Sequence, residues 1–158
     1  MSKPQALQLS GTSTSVSIDD VLSGPPNVIL RARDANVSFR QIVQEKQVLL
    51  VGVPGAFLPV CHNTHIPGLI AIEGELRQYY DYMFVVAVND PFVMKAWGAS
   101  LRLPKSFKLI SDWSGALTKH LQASLEASEF FLGSRCKRYA CIISKGELKW
   151  VGEADDAM

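Results

Sequence analysis

Two runs of apolar, largely β-branched residues restrict the folds open to this chain more than any other feature. They are QVLLVGV at residues 47–53 and YMFVVAV at residues 82–88, and turn or polar residues bound each of them. Continuous apolar runs of this length are typical of strands buried on both faces, as in parallel sheets covered by helices. We therefore expect a parallel sheet with helices packed on it.

Along the rest of the sequence, predicted strands alternate with predicted helices, and the last segment favours antiparallel edge strands. The chain is predicted to be an α/β protein with a central mixed β-sheet flanked by helices. The expected elements are a strand at NVIL, a short helix at SFRQIVQ capped by Ser38, a helix from Cys61 to about Tyr80 that Pro67 kinks or interrupts in its hydrogen bonding, a helix at NDPFVMKAWGASL capped by Asn89 or Asp90, a strand at FKLISD, a helix near SGALTKHLQ, and a hairpin of KRYACIIS and ELKWVG.

Length and composition limit the class of protein. The 158 residues suit a single domain, in which residues 1–25, rich in Ser, Thr, Gly and Pro, form a loosely packed lead-in. A net charge of +1 with scattered basic residues argues against nucleic acid or a membrane surface as a partner. No apolar run is long enough to span a bilayer, and the N-terminus does not have the pattern of a signal peptide.

The three cysteines, Cys61, Cys136 and Cys141, cannot all pair within one chain. They fit neither a zinc pattern nor a secreted disulfide framework, so a reducing compartment is expected. The cytoplasm is the default location, and an organelle is the alternative if a presequence has been removed. No cofactor and no metal are predicted.

Cys61 stands at the start of a predicted helix, after the turn that ends the first apolar run. Unpaired backbone N–H groups and the helix dipole favour negative charge there, and the thiolate is the reactive form of cysteine. A free cysteine is also often a small buried apolar residue without chemistry. Position alone leaves both interpretations open.

The residues around Cys61 carry a resemblance to a known family. PGAFLPVC resembles the active-site loop of the peroxiredoxins, whose pattern is Pro, three residues, Thr or Ser, two residues and Cys. VGVPGAF, THIPG, VNDPFV with AWG, DWSGALTK and RCKRYACII also match, in order, across residues 27–151. The similarity is greatest to the atypical type II class. It implies a thioredoxin-like fold, a homodimer, and a thiol-dependent peroxidase that reduces hydrogen peroxide and alkyl hydroperoxides.

The resemblance also implies roles for individual residues. Cys61 matches the peroxidatic cysteine, which becomes a sulfenic acid, and Pro54 matches the proline that shields it from water. Arg138 matches the arginine that binds thiolate and peroxide by charge-assisted hydrogen bonds. The N–H groups of Val60 and Cys61 would polarise the peroxide. Without the resemblance, Pro54 only shapes a turn and Arg138 is a solvated residue at a strand edge.

Two histidines lie close to Cys61 in the sequence. His65, four residues on, shares the helix face of Cys61, whereas His62 points away. The resemblance implies that His65 belongs to the active-site surroundings, because a histidine at this position is usual in the related class. The two lack a convincing third ligand, so they do not predict a metal site.

Leu58 departs from the family pattern, because it replaces the usual Thr or Ser and removes a hydroxyl from the site. Two hypotheses follow. The chain is either a one-cysteine peroxidase reduced by glutathione, glutaredoxin or thioredoxin, or a catalytically weakened relative that acts as a redox-sensing or binding partner. A structural module of thioredoxin-like fold is a third interpretation.

Cys136 has no role in the resemblance. If RCKRYACII is extended throughout, Cys136 points the same way as Arg138, towards Cys61, and the flanking Arg135 and Lys137 favour its thiolate. It is then either a substitute resolving cysteine for Cys61 or a partly exposed thiol at a strand edge.

Overall fold

The computed structural model describes residues 39–154. The expected NVIL strand, the Ser38 cap and the lead-in at 1–25 lie outside the described residues. The single-domain organisation over 1–158 accordingly stays a prediction.

The described chain alternates between strands and short helices. In order, its elements are α1 (Phe39–Glu45), β1 (Gln47–Gly52), a π-helical turn (Cys61–His65), α2 (Ile66–Ala71), α3 (Glu73–Leu76), β2 (Tyr82–Ala87), α4 (Pro91–Ser100), β3 (Phe107–Ser111), α5 (Ala116–His120), β4 (Ser124–Glu126), a 3₁₀ turn (Ser128–Phe130), β5 (Ser134–Cys136), β6 (Tyr139–Ser144) and β7 (Glu147–Glu153).

Five of these strands form one mixed sheet in the order β3-β2-β1-β6-β7. β1 pairs with β2, and β2 with β3, in parallel, whereas β6 runs antiparallel to both β1 and β7. β4 and β5 form a separate antiparallel ribbon. This arrangement confirms the predicted α/β fold with a central mixed sheet flanked by helices.

The central strand β1 is buried on both faces, as its apolar run predicts. Its alternate side chains enter two core clusters. Leu50 lies in one with Phe84 and Cys141, and we call this the Leu50 cluster. Leu49 lies in the other with Cys61, and we call this the Cys61 cluster. The two clusters cover opposite faces of the sheet because neighbouring residues of a strand point in opposite directions.

Helix α4 begins as the sequence predicts, and the structure decides between its two candidate caps. The Asp90 carboxylate accepts hydrogen bonds from the N–H groups of Phe92 and Val93, and Pro91 occupies the first turn. Asn89 instead accepts a hydrogen bond from the N–H of Ala56, 2.9 Å away in the loop after β1. That contact ties the end of β2 to the end of β1.

The helix predicted from Cys61 to about Tyr80 has irregular hydrogen bonding directly before Pro67, which is one of the two predicted effects of this proline. The N–H of Ile66 bonds to the carbonyl of Cys61, five residues earlier, so the first turn is wider than an α-helical turn. Pro67, in the first turn of α2, has no N–H to donate, which explains why the regular bonding pattern fails here. The helix then stops at Ile72 (φ −105°, ψ 17°) rather than at Pro67.

The segment RCKRYACII is not one extended strand, contrary to expectation. β5 ends at Cys136 and pairs with β4, where the backbone N–H of Lys137 also donates to Ala123. The chain bends at Arg138, and β6 begins at Tyr139. From Tyr139 on, the predicted hairpin is confirmed, with its turn at Lys145 and Gly146, both at positive φ.

Within residues 39–154, no helix has the length and apolar character needed to cross a membrane.

Candidate active site

Cys61 lies on the first turns of the helix that follows β1 and is fully buried. Val60 already has helical backbone angles (φ −67°, ψ −42°), and the N–H of His62 donates to the carbonyl of Leu58 at 2.8 Å. The helix therefore begins after Leu58. The N–H groups of Val60 and Cys61 stand in its first turn, where no preceding carbonyl of the helix accepts them. Their role as donors to a peroxide stays a prediction.

Arg138 reaches Cys61 from the bend before β6. Its Nη1 lies 3.5 Å from the Cys61 Sγ and 2.8 Å from Nδ1 of His65, and Arg138 is only 7% exposed. It is therefore not a solvated residue at a strand edge. A guanidinium has no acceptor atom, so Nδ1 of His65 accepts the bond and the ring proton lies on Nε2. The structure brings Cys61, His65 and Arg138 together across 77 residues of sequence.

Pro54 is buried in the loop between β1 and the Cys61 helix. On one side of it, the N–H of Val53 donates to the carbonyl of Val86 at 3.0 Å. On the other side, Asn89 holds the N–H of Ala56. The loop is thus fixed to the end of β2 both before and after Pro54, while the shielding role of Pro54 stays a prediction.

His62 is held away from the Cys61 thiol, as expected from its position in the helix. Its Nδ1 accepts a hydrogen bond from the buried Trp97 indole at 3.0 Å, and its ring stacks on Phe57 with centroids 5.7 Å apart. Phe57 has a positive φ of 62°, which a residue with a large side chain rarely adopts. Sequence reasoning assigned no role to Trp97 or Phe57, although they lie in the matched motifs AWG and PGAFLPVC, because a motif does not show that their side chains contact His62.

Leu58 places an apolar side chain at the edge of the site. It is half-buried and packs against the Cys61 cluster. The space around it is limited, since a Cβ added to Gly55 would lie only 3.0 Å from Leu58 Cδ1. Leu58 has no hydroxyl for the thiol or a peroxide, but its carbonyl takes part in starting the helix.

Cys136 does not lie where the extended-strand interpretation put it. The bend at Arg138 turns it into the Leu50 cluster, on the opposite side of the sheet from the Cys61 cluster. Its thiol donates to the carbonyl of Val53 at 2.9 Å and has no exposed surface. The expectation that it shares a face with Arg138, and the alternative of a partly exposed thiol, are both wrong.

The residues flanking Cys136 do not favour its thiolate either. Arg135 donates to the carbonyls of Leu132 and Val88, and Lys137 forms an ion pair with Glu153. Burial, followed by the nearby carboxylate of Asp112, raises the pKa of the Cys136 thiol to about 12.

Cys141 lies in the middle of β6, among the apolar side chains of the Leu50 cluster. Burial alone raises the pKa of its thiol to about 12. Both remaining cysteines are therefore protonated at neutral pH. In residues 39–154 there is no group of three His, Cys, Asp or Glu side chains that would hold a metal ion.

The fold and the site together define a class of protein. A mixed five-stranded sheet with a buried cysteine at the start of the helix after its central strand, faced by a buried arginine, is the arrangement of a thioredoxin-like redox domain. Comparison with known families agrees, because the profile of the Redoxin family matches residues 23–157.

Individual relatives within the Redoxin family are peroxiredoxins. Peroxiredoxin-2C of Oryza sativa subsp. japonica is 44% identical over 107 residues, which are 67% of this chain and 66% of the rice protein. Peroxiredoxin-2D of Arabidopsis thaliana is 42% identical over 108 residues, 68% of this chain and 67% of that protein. The chain thus spans about two thirds of the length of these relatives.

A solved structure agrees with them. Reduced Prx3 of Vibrio vulnificus in complex with hydrogen peroxide is 36% identical, with a TM-score of 0.67 over 72% of this chain and 70% of that chain. The chain belongs to the Redoxin family, and within it to the peroxiredoxins of the type II group. Peroxiredoxins are oxidoreductases of the thiol peroxidase class.

Proposed function

We propose that this chain reduces hydrogen peroxide and alkyl hydroperoxides through a sulfenic acid on Cys61. The observation that carries the proposal is the contact of the buried Cys61 Sγ with Arg138 Nη1 at 3.5 Å, beside the N–H groups that open the helix. The Vibrio vulnificus relative in complex with hydrogen peroxide supports the choice of substrate.

The reaction follows from the chemistry of a thiolate. The Cys61 sulfur attacks one peroxide oxygen and supplies two electrons, the O–O bond breaks, and the other oxygen leaves as water or an alcohol after taking a proton. Sulfur keeps the first oxygen as a sulfenic acid. An external thiol then displaces it as water and forms a mixed disulfide, and a second thiol releases Cys61 as the thiol.

Each neighbouring group has a part in this scheme. Arg138 stabilises the negative charge on the thiolate and on the leaving oxygen by charge-assisted hydrogen bonds. The N–H groups of Val60 and Cys61 donate to the peroxide, and Pro54 keeps water from the thiol. His65 fixes the orientation of Arg138 through the bond at Nδ1.

We propose a one-cysteine cycle in which glutathione, glutaredoxin or thioredoxin is the reductant. The burial of Cys136 and Cys141, and the raised pKa of each thiol, argue against either as a rapid partner for the sulfenic acid. Cys136 would also have to leave the Val53 carbonyl.

Leu58 keeps a second candidate function open. Its apolar side chain removes a hydroxyl from the site, which favours a weakened relative that acts as a redox-sensing or binding partner. The two functions differ in turnover, because a sensor forms the sulfenic acid without rapid catalytic cycles.

A peroxide-consumption assay with a panel of thiol donors tests the proposal. Wild-type protein should consume peroxide with at least one donor, Cys61→Ser should not, and Cys141→Ser should remain nearly as active as the wild type. The Cys141 variant is a matched control because its thiol is equally buried but lies in the other core cluster. Retained turnover in Cys61→Ser would refute the proposal, and wild-type oxidation without turnover would favour the sensor.

A homodimer is the proposed assembly. Large aromatic side chains are exposed in the segments that follow the three parallel strands: Phe57 in the loop after β1, Phe92 in the first turn of α4 after β2, and Trp113 after β3. The carboxyl ends of parallel strands share one edge of the sheet, so this edge presents apolar surface suited to a second copy. Light scattering should give twice the mass of the chain for the wild type, and a lower mass for Phe92→Glu.

A cytoplasmic location is proposed as well.

A further inference from the structure

The peptide between Val53 and Pro54 has a single hydrogen-bonding group. Proline has no N–H, so the Val53 carbonyl is the one polar atom through which this peptide plane is fixed. The Cys136 thiol donates a hydrogen bond to this carbonyl at 2.9 Å. The orientation of this plane sets the position of the Pro54 ring, which begins in the same peptide unit.

The Cys136 side chain is well suited to act as a fixed donor. It is fully buried, and because its pKa is raised to about 12, it keeps its proton at neutral pH. Its backbone is held by the pairing of Cys136 with Ser124 and by the bond from the Lys137 N–H to Ala123 at 2.7 Å.

Strand β5 contacts the same loop at a second point. The guanidinium of Arg135 lies 3.3 Å from the place where a Cβ on Gly55 would be, and it donates to the carbonyl of Val88. Two neighbouring residues of one short strand thus meet the loop on either side of Pro54, which indicates that β5 fixes the loop rather than lying beside it by chance.

We propose that Cys136 is a positioning residue for the peroxidase reaction, whose thiol fixes the Val53–Pro54 peptide and so the position of the Pro54 ring. This inference rests on the proposed function. It gives Cys136 a structural task in place of the resolving role, and it makes the S–H donor, rather than the volume of the side chain, the property that matters.

Three variants of the full chain separate these properties. Cys136→Ala removes the donor, Cys136→Ser keeps a donor in nearly the same place, and Cys141→Ala removes an equally buried thiol outside the loop. The measured quantity is the second-order rate of Cys61 oxidation by hydrogen peroxide in a single turnover. Loss of one weak S–H hydrogen bond predicts a decrease of about two- to fivefold in Cys136→Ala. Cys136→Ser and Cys141→Ala should react at the wild-type rate.

The opposite patterns overturn the inference. Equal rates in Cys136→Ala and the wild type would show that the hydrogen bond does not affect Cys61 oxidation. A resolving role for Cys136 predicts the same equality, because a resolving cysteine acts only after the sulfenic acid has formed. An equal decrease in Cys136→Ser and Cys136→Ala would assign the effect to volume. Cys136→Val, which also lacks a donor, replaces the alanine variant if that one does not fold.

Infrared spectroscopy tests the bond without reference to activity. The S–H stretching band of Cys136 should be shifted to lower frequency relative to that of Cys141 and should vanish in Cys136→Ser. An unshifted Cys136 band would contradict the inference even in an active enzyme. A wild-type protein with the shifted band but no reaction with peroxide would contradict the proposed function alone.

Discussion

At the scale of single residues, Cys61 has a charged hydrogen-bond donor, Arg138, and an apolar neighbour, Leu58, in its surroundings. Arg138 and the helix-start N–H groups favour negative charge at the sulfur, whereas Leu58 contributes no hydrogen bond. Two opposing effects thus act on one atom, and each can be changed separately by substitution.

Leu58→Thr should raise the rate of Cys61 oxidation by hydrogen peroxide. A hydrogen bond to a charged group is worth about 1.5–3 kcal/mol, so an increase of roughly tenfold or more is expected in stopped-flow measurements. Leu121→Thr is a matched control, since Leu121 is also half-buried but packs against the Leu50 cluster. An unchanged or lower rate in Leu58→Thr would mean that the pocket is adapted to leucine.

Arg138→Gln should lower the same rate by roughly ten- to a hundredfold, because glutamine keeps polar donors but loses the charge that stabilises the thiolate. Arg77→Gln serves as the control, since Arg77 is exposed and its weak ion pair with Glu73 lies on the surface. Similar oxidation rates in Arg138→Gln and Arg77→Gln would show that Arg138 does not contribute to the reaction.

Sequence reasoning identified the residues that converge on Cys61 only where a motif marked them. Cys61, Pro54 and Arg138 follow from the family resemblance, and the structure brings Arg138 to Cys61. The contact of Cys136 with Val53 was not predictable, because it depends on a bend of the chain at Arg138. Local sequence does not reveal such a bend, since strand preference is similar on both sides of it.

At the scale of elements, the site depends on how closely β1 and β6 approach each other. Gly52 ends β1 and pairs with Tyr139, the first residue of β6. The Tyr139 ring lies directly over Gly52, where an added Cβ would be 2.0 Å from its Cε1. This glycine therefore lets the buried tyrosine pack just before the loop that carries Pro54.

Gly52→Ala should destabilise the fold by about 1–3 kcal/mol, because the buried Tyr139 ring has to move to admit the methyl group. Gly74→Ala is the control: Gly74 lies in α3 with nothing within 4 Å of its added Cβ, so its stability should be unchanged or raised by about 0.5 kcal/mol. Denaturant unfolding measures both. Equal midpoints would contradict the packing argument.

The elements themselves were predictable where pattern and capping agree. β1, β2, β3, the start of α4 and the closing hairpin carry clear apolar runs, a cap or a turn, and all were found as expected. The π-helical turn at Cys61 was not predicted. Pro67 indicates that the helix is irregular, but it does not determine where the extra residue of the widened turn lies.

At the scale of the whole molecule, burial on both faces of the sheet controls the ionisation of two thiols. The pKa values of Cys136 and Cys141 are raised from 9.0 to about 12. The folded state therefore keeps two protons that the unfolded chain releases from about pH 9 upward. Stability is unaffected below that pH and falls as the pH rises through the window between 9 and 12.

Unfolding experiments between pH 8 and 11 should show this loss, with each thiol contributing about 2–3 kcal/mol by pH 11. Cys141→Ala should be less stable at pH 8 because of the cavity, but its stability should fall less steeply with pH. Parallel curves for the variant and the wild type would contradict a buried, protonated Cys141.

The central claim is that Cys61 alone carries the oxidised sulfur during peroxide reduction. The most direct measurement is mass mapping of the full chain after one equivalent of hydrogen peroxide, with a 1,3-diketone present to trap sulfenic acid. The predicted result is trap attached to Cys61, with Cys136 and Cys141 recovered as free thiols. A peptide pair linked by a disulfide between Cys61 and Cys136, or an unmodified Cys61, would contradict it.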